Sequence, residues 1–178
     1  FLEYGDDSVA QLGGVHLACE QASNILTKVL EWGRVMSYMG QATRYIEYDT
    51  KLDGRFRYYR DTAVLKSPEL AFRYIADLDS LFEAYSEMLP TMLEWARERY
   101  PKEPGDSDFV YKNSIRAKAC DALRGLLPAA TLSNVGVSGS GQAFEALLLR
   151  MRAHPLPEAR TYAAMMLEEL RKVIPSFL

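Results

Sequence analysis

The sequence has no apolar run that could cross a lipid bilayer. Its longest aliphatic stretch is about as long as "ALLLR", whereas a membrane-spanning helix needs roughly 20 apolar residues. The amino-terminal residues do not have the charged, apolar and cleavage regions of a signal peptide. Both absences predict a cytoplasmic protein with no membrane contact.

Cysteine and histidine are scarce. Cys19 and Cys120 are separated by about a hundred positions and have no close histidine, so neither a disulfide framework nor a zinc site is predicted. Both thiols are expected to be buried. His16 and His154 are not part of any series of serine, histidine and acid, and no paired metal ligands are evident. Hydrolase and metal-dependent chemistry are therefore not indicated.

Neither charge sign dominates the composition. The 178 residues include 21 lysines and arginines against 24 acids, with 48% hydrophobic residues and a net charge of −3. These values are typical of a globular protein, and the length predicts a single domain over residues 1–178. Because the first residue is Phe1, we expect this domain to be part of a longer chain.

The pattern along the chain predicts an α/β protein of the α+β type, with helices packed on a small, mostly antiparallel sheet. "GGVHLACE" reads as a strand, after which Ser23 or Asn24 caps a helix that runs to Gly33. Ser67-Pro68 begins a long helix that contains Pro90. Further helices are expected from about Lys112 to Leu127, around Phe144 to Met151, and from Glu158 onward.

Two segments have alternative interpretations. "RYIEYD" and "RFRYYRD" predict a β-hairpin around a turn at residues 51–54, but the second could also be a nucleic-acid surface on which bases stack against Phe56 or Tyr58. The acidic net charge disfavours nucleic acid as a partner. "GVSGSGQ" could cradle a phosphate ahead of a helix or form a plain glycine-serine turn after a strand.

Four arginines occur near element ends and could form an anion site. If they converge, their guanidinium groups would suit a phosphate or a carbonyl-rich ring; otherwise they are separate surface side chains. They are Arg34, Arg44, Arg124 and Arg150.

Four segments together resemble the flavin-dependent thymidylate synthases over almost the whole chain. They are "YGDDSV", "WGRVMSYMGQATRY", "ALRGLLP" and "RMRAHPLPEAR". Laid on that family's signature, the second segment retains Arg34, Ser37, Arg44 and Tyr45. It departs from the signature at Trp32, Gly33, Met39 and Ala42, and Asp6 replaces a histidine of the first segment.

The resemblance implies an enzyme that methylates dUMP, a small nucleotide, with carbon from methylenetetrahydrofolate. It also implies FAD reduced by NADPH, and a homotetramer. Arg150 would be catalytic by polarising the pyrimidine. The implied substrate-binding residues are Gln41, Ala42, Thr43, Arg44, Asp121 and Arg124. The implied cofactor-binding residues are Ser8, Arg34, Ser37 and Gln142.

The departures from the signature leave other functions open. One alternative is an inactive nucleotide-binding or structural homologue, half of a longer duplicated protein. The other is a single-stranded nucleic-acid module built on "RFRYYR".

Overall fold

A computed structural model describes residues 7–175 and divides the chain into two compact units. The first comprises the residues up to Gly40 together with those from Ser133 onward, and the second comprises Gln41–Leu132. The fold is mixed α+β, as predicted. That residues 1–178 act as one domain stays a prediction.

The first unit contains a three-stranded sheet. Its strands are β1 (Gly14–Ser23), β2 (Met36–Gly40) and β3 (Leu132–Ser140), in the spatial order β1-β3-β2. β2 runs antiparallel to β3, with Met36 opposite Gly139 and Gly40 opposite Val135. The small antiparallel sheet of the sequence prediction is confirmed.

One face of this sheet is buried and the other is open. Alternate residues of β1 and β3, including Val15, Cys19 and Val135, pack into the core with helices of the same unit, as expected where side chains alternate between faces. These helices are α1 (Asn24–Leu30), α5 (Gly141–Arg152) and α6 (Pro157–Val173). The intervening residues His16, Ala18 and Gly136 face the open side.

A buried carboxylate ties α6 to the junction of β1 and α1. Ser23 caps α1 by accepting a hydrogen bond from the Leu26 amide at 3.1 Å. The amide and the hydroxyl of Ser23 donate in turn to the two oxygens of Glu158, at 2.9 and 2.5 Å. Glu158 is only 1% exposed, so the predicted cap at Ser23 is confirmed and is held by a distant acid.

The predicted glycine-serine turn after the last strand is wrong. β3 continues to Ser140, whose hydroxyl caps α5 by accepting from the Ala143 amide at 3.3 Å. Met36 of β2 packs directly over Gly139, and an added Cβ there would lie 2.8 Å from the Met36 methyl. The glycine thus allows β2 and β3 to pair as far as this position. The strand thus passes straight into the helix, with no separate loop to cradle a phosphate.

The second unit is mainly helical. It contains α2 (Thr62–Leu65), α3 (Pro68–Arg99) and α4 (Asp108–Leu123), with short 3-10 turns over Thr43–Tyr45 and Arg124–Leu126. α3 and α4 pack together, and Pro90 lies inside α3 as predicted. Two helices end earlier than predicted, α1 at Leu30 and α4 at Leu123, where a 3-10 turn follows.

Only the turn of the predicted hairpin forms. Leu52 and Arg55 exchange backbone hydrogen bonds at 2.9 and 3.0 Å, and positive φ at Asp53 and Gly54 fits a two-residue hairpin turn. The flanking segments are not strands, because their aromatic side chains pack against α3 instead. The buried aromatics are Tyr48, Phe56 and Tyr58.

The same burial removes the stacking surface of the nucleic-acid hypothesis. Phe56 and Tyr58 are 5% and 1% exposed, respectively, and the Phe56 ring stacks on Phe82 with centroids 5.2 Å apart. Neither ring can receive a base. The hypothesis built on "RFRYYR" therefore loses its support.

Both cysteines are free and buried, as predicted. Burial raises the pKa of the Cys19 thiol from 9.0 to about 11, because the low-dielectric core disfavours the thiolate. The unfolded chain therefore loses this proton at lower pH than the folded protein. Stability from this thiol is fully present below pH 9.0 and is lost as the pH rises to about 11.

We expect the free energy of unfolding to fall by about 2 to 3 kcal/mol through this thiol between those limits. Urea unfolding at several pH values, for wild type and Cys19→Ala, measures the difference. The wild type should lose more stability than the variant. An identical pH dependence in both proteins would contradict the assignment.

Candidate functional site

Arg150, near the end of α5, carries two donors that have no partner. Its Nε and Nη2 atoms are buried and form no hydrogen bond with any residue that the structure describes. Buried polar groups are normally hydrogen-bonded, and an unsatisfied charged donor costs more than a neutral one. An acceptor from a ligand would satisfy this pair.

The loop between α1 and β2 forms one wall of the Arg150 site. The Tyr38 hydroxyl donates to the Gly33 carbonyl at 3.1 Å. A Cβ built on Gly33 would lie 3.8 Å from Arg150 Nη2 and closer than 3.0 Å to the Tyr38 oxygen. Gly33, Tyr38 and Arg150 therefore meet at one point.

Arg34, in this loop, and Ser37, on β2, are both exposed. Ser37 points to the open face of the sheet, where all three strands line a depression of about 480 Å³. Small residues and larger ones line the depression together. The small ones are Ala18, Ser37, Gly136 and Ser138, and the larger ones are His16, Leu17, Tyr38, Met39 and Val137. A flat ring system could lie on such a surface.

The other two predicted cofactor residues also belong to the first unit. Ser8 lies in a 3-10 turn over Asp7–Leu12 that packs against α5, and Gln142 is in the first turn of α5. The replacement predicted at Asp6 lies outside the described residues.

The predicted substrate residues belong to the second unit. Gln41 and Ala42 precede the 3-10 turn over Thr43–Tyr45, which packs against α4. No side chain caps this turn, since position 42 is an alanine. The exposed Arg44 guanidinium lies 4.9 Å from the centre of the Tyr45 ring.

Asp121 and Arg124 form an exposed ion pair where α4 ends, with 3.2 Å between Oδ1 and Nη1. Such a pair adds little stability, but it orients the guanidinium. The predicted convergence of Arg44, Arg124 and Arg150 would join the two units and stays a prediction.

Tyr38 was missed by the sequence interpretation. The alternation in "VMSYMG" places Met36 and Tyr38 on one face of β2, which is a signal for packing only. The contact of Tyr38 with Gly33 depends on the path of the loop before β2, which residue spacing in the sequence does not predict.

A second basic group lies on α5 and α6. Arg152, Arg160 and Arg171 line a surface depression of about 370 Å³ with Glu168. Arg160 donates to the carbonyls of His154 and Pro155 at 2.7 and 2.8 Å, and the His154 ring accepts from the Leu156 amide at 3.1 Å. These contacts serve the helix junction.

Two absences apply to residues 7–175. No helix among them is both long and apolar enough to cross a membrane. No three of their histidine, cysteine and acidic side chains are grouped to hold a metal ion.

Fold and site together define an α+β protein with an unsatisfied arginine at the edge of a small sheet. The family model for thymidylate synthase complementing protein matches residues 1–176. The chain belongs to this family, which confirms the resemblance found in its motifs.

Three relatives carry the name UPF0159 protein. The one from Chlamydia muridarum is 44% identical over 178 residues, and the one from Chlamydia pneumoniae is 42% identical; each alignment covers 98% of this chain and 33% of the relative. The Thermoplasma acidophilum protein, UPF0159 protein Ta1429, is 33% identical over 199 residues, covering 100% of this chain and 40% of the relative. The chain thus spans a third to two fifths of the length of these relatives.

Proposed function

We propose that this protein is a flavin-dependent thymidylate synthase homologue that converts dUMP to dTMP. Methylenetetrahydrofolate supplies the carbon, and NADPH reduces the bound FAD. The active form is a cytoplasmic homotetramer. The observation that carries this proposal is the unpaired donor pair of Arg150.

Arg150 is suited to polarising a pyrimidine carbonyl. Nε and Nη2 are buried and unpartnered, and together they can hold one oxygen or two adjacent acceptors in the guanidinium plane. Negative charge that develops on a uracil oxygen would be stabilised most by donors already in place and shielded from water. In this role Arg150 binds the reacting ring and lowers the cost of charge on it.

The second unit supplies groups for the nucleotide phosphate. Arg44 is exposed, and Arg124 is oriented by Asp121 at 3.2 Å. Two guanidinium groups suit a phosphate dianion better than lysines do, because each can donate two parallel hydrogen bonds. The backbone of residues 41–43 would complete this part of the site, although Ala42 contributes no hydroxyl.

The residues of the first unit fit a planar, carbonyl-bearing cofactor. Ser8, Arg34, Ser37 and Gln142 would hold the flavin nucleotide, with the depression of about 480 Å³ beside Ser37 receiving a flat ring. When bound, the flavin supplies the hydride. Trp32 and Gly33 replace two cationic side chains of the signature, so each lost charge-assisted bond weakens binding by about 1.5 to 3 kcal/mol.

These replacements favour one second candidate, an inactive homologue that still binds the nucleotide. Trp32 and Met39 are 74% and 78% exposed, so apolar surface stands where the signature carries donors. Such a protein would keep Arg150 and Arg124 for dUMP but would bind the flavin weakly.

Two measurements on the purified protein separate these candidates. The enzyme should be yellow, with flavin absorbance, and should release tritium from dUMP labelled at the reacting carbon. The inactive homologue should be colourless but should gain about 2.7 kcal/mol of stability at a dUMP concentration of 100 Kd. Colourless protein with no stabilisation by dUMP would contradict both.

A further inference from the structure

Tyr38 fills the space that a side chain at position 33 would occupy. A Cβ added to Gly33 would come closer than 3.0 Å to the Tyr38 oxygen, a separation that real Cβ atoms do not show. The same Cβ would lie 3.5 Å from Met36 Sδ and 3.8 Å from Arg150 Nη2. The phenol oxygen therefore lies beside the Arg150 guanidinium in a space that it can occupy only because residue 33 is glycine.

The phenol is fixed in this volume. Its hydroxyl proton is donated to the Gly33 carbonyl at 3.1 Å, and its ring packs with Met36 against the core of the first unit. Because that proton is engaged, the oxygen lone pairs are what Tyr38 offers to its surroundings. The guanidinium beside it carries donors only, and two of its nitrogens have no partner.

We propose that Tyr38 is a positioning residue for Arg150, and that this role depends on the glycine at position 33. The phenol takes the place of a side chain at position 33, limits the rotamers that Arg150 can adopt, and keeps water from its unpaired donors. This inference rests on the proposed function, in which those donors receive an oxygen of a pyrimidine nucleotide. Positioned donors lose less freedom when the ligand binds.

The pair can be tested by a double-mutant cycle, with dUMP as the ligand. The proteins are the full chain and its variants Gly33→Ala, Tyr38→Phe and the combination of both. Dissociation constants come from isothermal titration, and melting temperatures from calorimetry on the same samples.

Gly33→Ala alone should weaken dUMP binding about tenfold or more, because the new methyl group displaces the phenol oxygen from its place beside Arg150. In the Tyr38→Phe background, where that oxygen is missing, the same substitution should change the affinity less than about twofold. This rescue by a conservative substitution is the signature of a shared role.

Gly139→Ala is the matched control. Its Cβ would lie 2.8 Å from the Met36 methyl and 3.1 Å from Met36 Cγ, so it introduces a close contact with a flexible side chain of β2 instead of one with the Tyr38 oxygen. It should lower the melting temperature but leave dUMP affinity within about twofold of wild type. If Tyr38 were only a packing residue, Gly33→Ala and Gly139→Ala would behave alike, with lower melting temperatures and unchanged affinities.

The outcomes separate the inference from the proposed function. Two outcomes overturn the inference and leave the proposed function standing, provided that the wild type binds dUMP. In one, the losses of dUMP affinity in Gly33→Ala and Tyr38→Phe are additive. In the other, Gly33→Ala binds dUMP with unchanged affinity. A wild-type protein that does not bind dUMP overturns both.

Discussion

Replacing Arg150 by methionine is expected to stabilise the ligand-free protein and to abolish most of its affinity for dUMP. The two effects have one cause, the buried and unpaired Nε and Nη2 atoms. Without ligand they impose a desolvation cost that an apolar side chain of similar length avoids, and such replacements often stabilise by about 1 kcal/mol or more. For a chain of this size that is a rise of about 2 to 4 °C in melting temperature.

With dUMP bound, the wild type should be the more stable of the two proteins. Two charge-assisted hydrogen bonds of about 1.5 kcal/mol or more each would be lost, so the dissociation constant for dUMP should rise about 100-fold or more. The melting temperature of wild type and Arg150→Met, each with and without dUMP, tests both effects. A less stable variant that binds dUMP normally would show that Arg150 has a structural role only.

Arg152→Met is the control, because Arg152 is on the same helix but is exposed beside Arg160 and Arg171. It should change stability by no more than about 0.5 kcal/mol and leave dUMP binding unaltered. An equal loss of binding in Arg152→Met would point to general charge attraction rather than to a specific pair of donors.

Replacing Glu158 by alanine should destabilise the protein by about 3 to 5 kcal/mol. Both Glu158 oxygens accept from Ser23, at 2.9 Å from the amide and 2.5 Å from the hydroxyl. The substitution would leave two buried donors without this acceptor and would open a cavity beside α6. The cap of α1 would lose its support, because the hydroxyl that caps α1 is one of the two donors.

Urea unfolding of Glu158→Ala measures this loss, and Glu168→Ala, an exposed position on the same helix, should stay within about 0.5 kcal/mol of wild type. Ser23→Ala should fall between them, at about 1 to 2 kcal/mol for a lost cap. A loss below 1 kcal/mol in Glu158→Ala would mean that solvent or another residue replaces the carboxylate at little cost.

The sequence predicts the helices of this protein better than its irregular segments. Ser23 and Ser67-Pro68 mark real helix starts, since the cap residue and the proline are read from the local sequence. The support that Glu158 gives to the Ser23 cap comes from 135 positions away and has no local signal. The hairpin prediction failed because Phe56 and Tyr58 pack against a helix of the same unit, a distant contact that overrides local alternation. β3 extends past the predicted turn to Ser140 for a similar reason, because Met36 of the neighbouring strand packs against Gly139.

The site follows from the sequence only in part. The motif resemblance identifies Arg150 as a site residue. It does not predict that the Arg150 donors are buried and unpaired, because this depends on how the surrounding residues pack. Gly33 was identified as the loss of a signature residue, whereas the structure shows its space occupied by the Tyr38 oxygen. The glycine that replaces a signature residue at position 33 thus leaves a space that Tyr38 occupies.

A crystal structure of the full chain grown with dUMP tests the central claim most directly. We expect a pyrimidine oxygen within about 3.2 Å of Arg150 Nε or Nη2, with the Tyr38 hydroxyl still donating to the Gly33 carbonyl. Nucleotide bound elsewhere, with both nitrogens still lacking an acceptor, would contradict it.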